Sequence, residues 1–320
     1  MNVDPSDQSA FLFQNISSSI PDRDPFTRLH LYRSIHQYRQ TTMVLSPRFH
    51  LFEIGDQPWC PDWVIAYIQS YLTSVWNLHI PPLSRTSPAG IAAELVTENL
   101  PDASSYTFVD CCAGAGGPTS TMERVLNLQL QEQGKRPARF VLTDLHPRID
   151  AWSAIAKKQE HVTFIPDSRD ATSCGRVAAE GKECRVFNLC FHHFDDPVAR
   201  RVVRNAVESA DSFIIFEFAQ RNFSSLLNIP VMVLYPFFHT LQQYWHSPLH
   251  LFFTYVVPLF SVVCSFDGLV STLRCRTPEE LRALLRQPEL DVSGWEFTSG
   301  NRMMVWPFLH IYWFMGVRKP

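Results

Sequence analysis

The sequence has no excess of either charge: 28 Lys and Arg stand against 31 Asp and Glu, a formal net charge of −3. The Lys and Arg residues form no dense run, so a nucleic-acid backbone, which is held by clustered positive charge, is not expected as a ligand. The eight cysteines include no Cys-x-x-Cys pair and have no companion His at zinc-finger spacing. That spacing excludes a finger-type zinc site, and no metal is expected. Residues 1–25 lack a basic start, an apolar core and a cleavage site. No secretory leader is expected, and the thiols read as free in a reducing, cytoplasmic compartment.

What is present suits one large core. At 320 residues and 46% hydrophobic, the chain fits a single elaborated α/β domain better than several small ones. Phe108 to Thr119 reads FVDCCAGAGGPT, an apolar run that ends in Asp110 and passes into Gly114, Gly116 and Gly117. Glycines accept positive φ and let a ligand lie against peptide N–H groups, which is what a strand-to-helix turn needs at a nucleotide site. Pro118 then suits the first turn of a helix over 119–132.

Short apolar runs at 108–109, 140–142, 162–165, 186–189 and 213–216 alternate with helical patterns. The helices are predicted at 119–132, 150–160, 175–180, 197–210 and 277–286. Strands spaced by helices argue for parallel βαβ units in a doubly wound sheet, closed by an antiparallel pair at 295–298 and 308–317. Residues 1–45 are polar, with periodic apolar positions only from Leu29 to Tyr38. Residues 46–104 read as a helical extension or lid, with helices at 58–76 and 88–100. Residues 226–264 are apolar and aromatic but broken by Pro230, Pro236, Pro248 and Pro258, so no run reaches the ~18 residues of a spanning helix. They fit either buried pocket lining or a lid resting on a membrane surface. His239, His246 and His250 fall near one helical stripe there, with no carboxylate or Cys at ligand spacing.

With Asp144 in Thr143-Asp144-Leu145-His146-Pro147 ending the second strand, the order strand, acid, glycine turn, helix, strand, acid is that of a mononucleotide-binding half. Over residues 105–317 the chain resembles class I S-adenosylmethionine-dependent methyltransferases, and among them fungal methyltransferase-like proteins with DxCAGAGGPT, TDLHP and FHHFDD motifs. The resemblance implies a Rossmann-like, mostly parallel seven-stranded sheet with an antiparallel last strand, plus an N-terminal helical extension and an apolar helical insertion after strand 5. It implies S-adenosyl-L-methionine as cofactor, with Asp110, Gly114 and Gly116 beside its methionine part and Asp144 on its ribose. Leu145 and Asn188 join that wall, and Asp170 or Asp167 stands near the adenine. Cys112 replaces the usual first glycine of the turn; it reads as a compact apolar residue.

Asn188-Leu189-Cys190-Phe191-His192-His193-Phe194-Asp195-Asp196 ends the fourth strand. In open α/β sheets ligands bind at that edge. For a hydroxyl acceptor, His192 or His193 as a neutral imidazole is the candidate base, against a purely structural role for either. Asp195-Asp196 reads as a helix start. Glu217, ending the fifth strand, either orients the acceptor or pairs with Arg221. The expected reaction is methyl transfer to a hydrophobic small molecule, such as a secondary metabolite. The alternatives are a non-methylating rearrangement on the same fold, or a membrane-associated protein without catalysis.

Overall fold

The computed structural model describes residues 44–306 and 309–319. The periodic stretch from Leu29 to Tyr38 lies outside them. Five strands are parallel: β1 (Tyr106–Cys111), β2 (Arg139–Thr143), β3 (Val162–Phe164), β4 (Lys182–Asn188) and β5 (Ser212–Glu217). β6 (Trp295–Val305) and β7 (Leu309–Arg318) are antiparallel to each other, and β7 inserts beside β5. The sheet order β3-β2-β1-β4-β5-β7-β6 is a Rossmann-like, doubly wound arrangement in which the chain reverses direction between β1 and β4. At such a reversal the strand ends leave a crevice for ligands.

Burial explains why the strand cores read as plain apolar runs. Phe108, Val186 and Ile214 face one layer, while Val109, Phe187 and Ile215 face the other. The first layer is filled by α2 (Pro88–Asn99), α3 (Thr119–Glu132) and α4 (Ile149–Ala156), through residues such as Leu95, Leu126 and Trp152. The second is filled by α5 (Asp196–Ser209) and α10 (Pro278–Leu284), through Val202, Val203 and Leu284. Asp195 caps α5, its carboxylate accepting the Val198 N–H at 2.8 Å. α10 opens with a full capping box between Thr277 and Glu280.

The helix predicted at 175–180 does not form. Glu183 accepts the N–H groups of Val177 and Ala178 at 2.6 and 2.7 Å, and Arg185 donates to the carbonyls of Cys174 and Gly175. With its backbone groups taken by side chains of β4, the loop has no need of helical bonds.

α1 (Asp62–Trp76) packs on the apolar insertion, which forms α6 (Phe223–Leu226), α7 (Ile229–Gln243), α8 (Pro248–Leu251), a π-helical turn at Phe252–Val256, and α9 (Leu259–Arg274). Tyr67, Tyr71, Phe260 and Cys264 make a separate small core between α1 and these helices. The histidine stripe is not continuous: α7 ends before His246, and His239 and His250 contact Tyr67 and Tyr244 from different helices. Burial, with the charge of His250 added, lowers His239 to about 4 and keeps it neutral.

Candidate functional site

The glycine turn leaves β1 with four positive φ angles in six residues: Cys112 at 64°, Gly114 at 52°, Gly116 at 100° and Gly117 at 41°. At a φ of 100° Gly116 holds a backbone that L side chains rarely adopt, and a Cβ there would also press on Ile155 Cδ1 at 2.3 Å. The turn is clamped from three sides. Gly114 donates to Asp144 Oδ2 at 2.8 Å, its carbonyl accepts from Trp152 Nε1 at 2.8 Å, and Ala113 donates to the Thr143 carbonyl. The second oxygen of Asp144 accepts the His146 N–H at 2.8 Å. Asp144 thus fixes the loop from the end of β2, with Leu145 exposed beside it.

Asp110 is buried under the turn, where Thr119 at the start of α3 donates to its Oδ2 at 2.5 Å. Burial pushes its carboxyl up to about 7; Thr119 and Asn188 pull it down, and the charge of Asp144 adds to the rise. Asn188 is close enough to favour the charged form, yet Asp110 Oδ1 and both polar atoms of the Asn188 amide complete no hydrogen bond. Unsatisfied buried polar atoms are rare in folded chains, and these converge at the reversal point. Asp170 and Asp167 lie on the exposed loop after β3, which is tied to β2 by the Arg169 N–H donating to the Asp144 carbonyl at 2.8 Å.

Immediately past Asn188, Leu189 lines a cavity of about 320 Å³. Its walls are apolar: Ile68, Leu72 and Val75 from α1, Val231 and Met232 from α7, and Val305 from β6. One end is polar and gathers Glu53, Asp56, His192, His193, Glu217 and Asp267. The structure therefore brings His192, His193 and Glu217 together, as the strand ends suggested. Glu217 does not pair with Arg221, which is held by Glu280 and the Cys275 carbonyl. Instead Glu217 Oε2 lies 2.8 Å from His192 Nδ1, and its other oxygen accepts the His192 backbone N–H at 3.1 Å.

Five residues of this end come from regions that periodicity did not connect. His193 Nδ1 is 2.9 Å from Asp56 and 3.5 Å from Glu53, while His192 Nε2 is 3.8 Å from Glu53. Arg274 bridges Glu53 at 3.2 Å and Asp56 at 2.7 Å, and Ser271 donates to Glu53 at 2.9 Å. Asp267 accepts the N–H groups of Ile54 and Gly55 at 2.7 and 2.9 Å, which shapes the turn that carries Glu53 and Asp56. The hint in the sequence was slight: two acids among apolar neighbours in Leu51-Phe52-Glu53-Ile54-Gly55-Asp56.

Electrostatics changes the role expected of His192. Burial alone would keep the ring neutral, but the charge and hydrogen bond of Glu217, with Glu53 added, raise it to about 9. At neutral pH it is an imidazolium and not a ready base. Asp56 is held well below the usual carboxylate range: His193 and Arg274 outweigh its burial. Among the described residues, Glu53, His192 and His193, or His192, Glu217 and Cys275, bring possible metal ligands within 4.8 Å of one another. A cation there would have to displace Arg274 and strip a proton from His192.

No protein-family model matches the sequence, and no curated protein does. Among solved structures, the chain is similar to the CMeT domain of the citrinin polyketide synthase: 14% identity, 78% of this chain, 56% of that chain, TM-score 0.44. It is also similar to the plantazolicin methyltransferase BpumL in complex with SAH, at 12% identity over 81% of this chain and 98% of that one, TM-score 0.39. A third is the magnesium protoporphyrin IX methyltransferase of Synechocystis PCC 6803 with bound SAM, at 11% identity over 94% and 100%, TM-score 0.39. The chain spans little more than half of the first of these.

Proposed function

We propose that this chain is an S-adenosylmethionine-dependent methyltransferase acting on a hydrophobic small molecule. The observation that carries this reading is the adjacency at the end of β4: Asn188 faces the glycine turn with its amide unsatisfied, and the next residue, Leu189, lines the apolar cavity. Two ligands held there would meet end to end. The residues present fit the cofactor: Asp110 and Asn188 offer buried polar atoms for its amino-acid end, and Asp144 offers a carboxylate for a ribose.

When bound, the cofactor supplies an electrophilic methyl group, and alignment of the acceptor can provide most of the acceleration. The protein's part is then positional and electrostatic. The apolar walls orient the body of the acceptor, and the polar end receives its nucleophilic atom. With Nδ1 tied to Glu217, His192 presents its Nε2–H toward Glu53 and the cavity they share. Such a cationic donor favours the ionised form of a hydroxyl beside it, and the carboxylate of Glu53, which lines the cavity, is the acceptor for the released proton.

Calorimetric titration with S-adenosylmethionine and S-adenosylhomocysteine tests the cofactor assignment. Wild type is expected to bind both, with affinity lowered roughly tenfold or more in Asp144→Ala and in Asn188→Ala. Equal binding by all three proteins would overturn it. A labelled-methyl assay on lipophilic extracts should yield a labelled apolar product; binding without consumption of the cofactor would replace transfer by rearrangement.

A further inference from the structure

Between Arg221 and Asp267 the chain runs through residues 222–266 without one Asp, Glu, Lys or Arg. A water-facing surface is ordinarily a quarter to a third charged, so this absence needs a reason beyond pocket lining. Only the inner faces of these helices line the cavity. The outer faces are apolar too. On α7 and just beyond it, Leu234, Phe238, Leu241 and Trp245 recur at helical spacing, and Phe238 and Trp245 are 62% and 61% exposed. Leu249, Phe252 and Val256 repeat the pattern on α8 and the π turn, with Val256 at 69%. Val262, Phe266 and Leu269 do so on α9.

Scattered exposed apolar residues are ordinary, but three such stripes on adjoining helices, free of charge and rich in aromatic rings, make a face suited to lipid. We propose that this face rests in the interface of a bilayer, so that the hydrophobic acceptor enters the cavity from the membrane. The helices lie on the bilayer and do not cross it. Phe223–Gln243 is long and apolar enough to span, but its inner side is bonded to α1. Tyr67 donates to the Pro236 carbonyl at 3.0 Å and pairs with Thr240 at 2.9 Å. One side in protein and one in lipid is the condition of an interfacial helix. Lipid is favoured over a second protein chain because the outer face carries no charged group to set the register of a protein interface, and its exposed polar residues Gln242, Gln243 and His246 cluster at the end of α7, where they can meet headgroups.

The membrane face stands on its own evidence; only the identity of what enters the cavity rests on the methyltransferase reading. Full-length protein is floated through a density gradient with phosphatidylcholine vesicles, with and without phosphatidylserine. Wild type is expected to float with both, and the triple substitution Phe238→Glu, Trp245→Glu, Val256→Glu to partition at least roughly tenfold less. Its melting temperature and S-adenosylhomocysteine titration report that it still folds. Quenching of tryptophan fluorescence by brominated phosphatidylcholine, reduced in Trp245→Phe, reads the same contact without added charge.

Wild type left in the aqueous phase would overturn the proposal, as would a triple variant that floats equally well or flotation that requires phosphatidylserine. A dimer dispersed by the triple substitution, without vesicle binding, would assign the face to a second copy instead. A protein that floats but ignores S-adenosylhomocysteine keeps the membrane face and loses the methyltransferase reading; the reverse result separates them the other way.

Discussion

Cys112 occupies a backbone position that usually belongs to glycine. Its φ of 64° costs an L-residue about 1–2 kcal/mol, partly balanced by the smaller entropy that a cysteine loses on folding. Cys112→Gly is therefore expected to stabilise the fold by about 0.5 kcal/mol in urea unfolding. A clear loss of stability would mean that the thiol's contact with the core layer around Cys111 and Phe187 outweighs the strain. Two residues earlier, Asp110 is poised near neutrality by burial at about 7. If its carboxylate faces the cofactor's ammonium, affinity for S-adenosylhomocysteine should rise severalfold between pH 6 and 8 as Asp110 ionises. Asp110→Asn should flatten that profile; an unchanged profile would remove Asp110 from the binding wall.

At the scale of elements, β4 links the site to the sheet. Arg185, buried in mid-strand, pairs with Glu183 at 3.0 Å, holds Asn205 of α5, and donates to the carbonyls of the 174–175 loop. Arg185→Met removes one member of a buried pair and frees that loop, so a loss of about 3–5 kcal/mol in denaturant unfolding is expected. A loss under about 1 kcal/mol would show that the loop is held by other bonds. The same strand shows what could be read from sequence. Val186 and Phe187 are buried on opposite faces, which is why β4 appeared as an apolar run, and its alternation with α5 gave the parallel order. The loop before it was not recognisable as one, because what holds it is the side chains of Glu183 and Arg185 on the following strand and not anything within its own residues. β6 was read short for a related reason: beyond Thr298 it is the polar stretch Ser299-Gly300-Asn301-Arg302, held in the sheet by pairing with β7. The glycine turn was legible because its chemistry is contiguous. The Glu53 to His192 contact was not, since it joins segments that no repeat or motif relates.

That contact makes the polar end of the cavity a property of the whole molecule. The turn at 53–56, the end of β4, the end of β5 and the last turns of α9 each contribute, so the chain must be folded throughout for His192 to meet its carboxylates. Stability should then follow the proton on His192. Its folded pKa of about 9 lies above the ordinary 6.5, so the native state holds this proton more tightly than the unfolded chain. The stabilisation is complete below pH 6.5 and disappears as pH rises through 9. At about 1.4 kcal/mol per pH unit the amount is roughly 3 kcal/mol. Asp110 works in an earlier window: a carboxyl raised to about 7 lowers stability as pH climbs from 3.8 to 7 and adds nothing further beyond it. Above pH 7 the buried thiols, pushed up by burial, also lower stability as they ionise in the unfolded chain, so the histidine is read from the gap between wild type and Glu217→Gln in urea unfolding from pH 7 to 9.5. Both proteins are expected to weaken over that range, with Glu217→Gln less stable at pH 7 and the gap narrowing toward pH 9.5. A gap that stays constant would mean that His192 is neutral in the folded chain, and the task of taking the acceptor's proton would pass back to its imidazole.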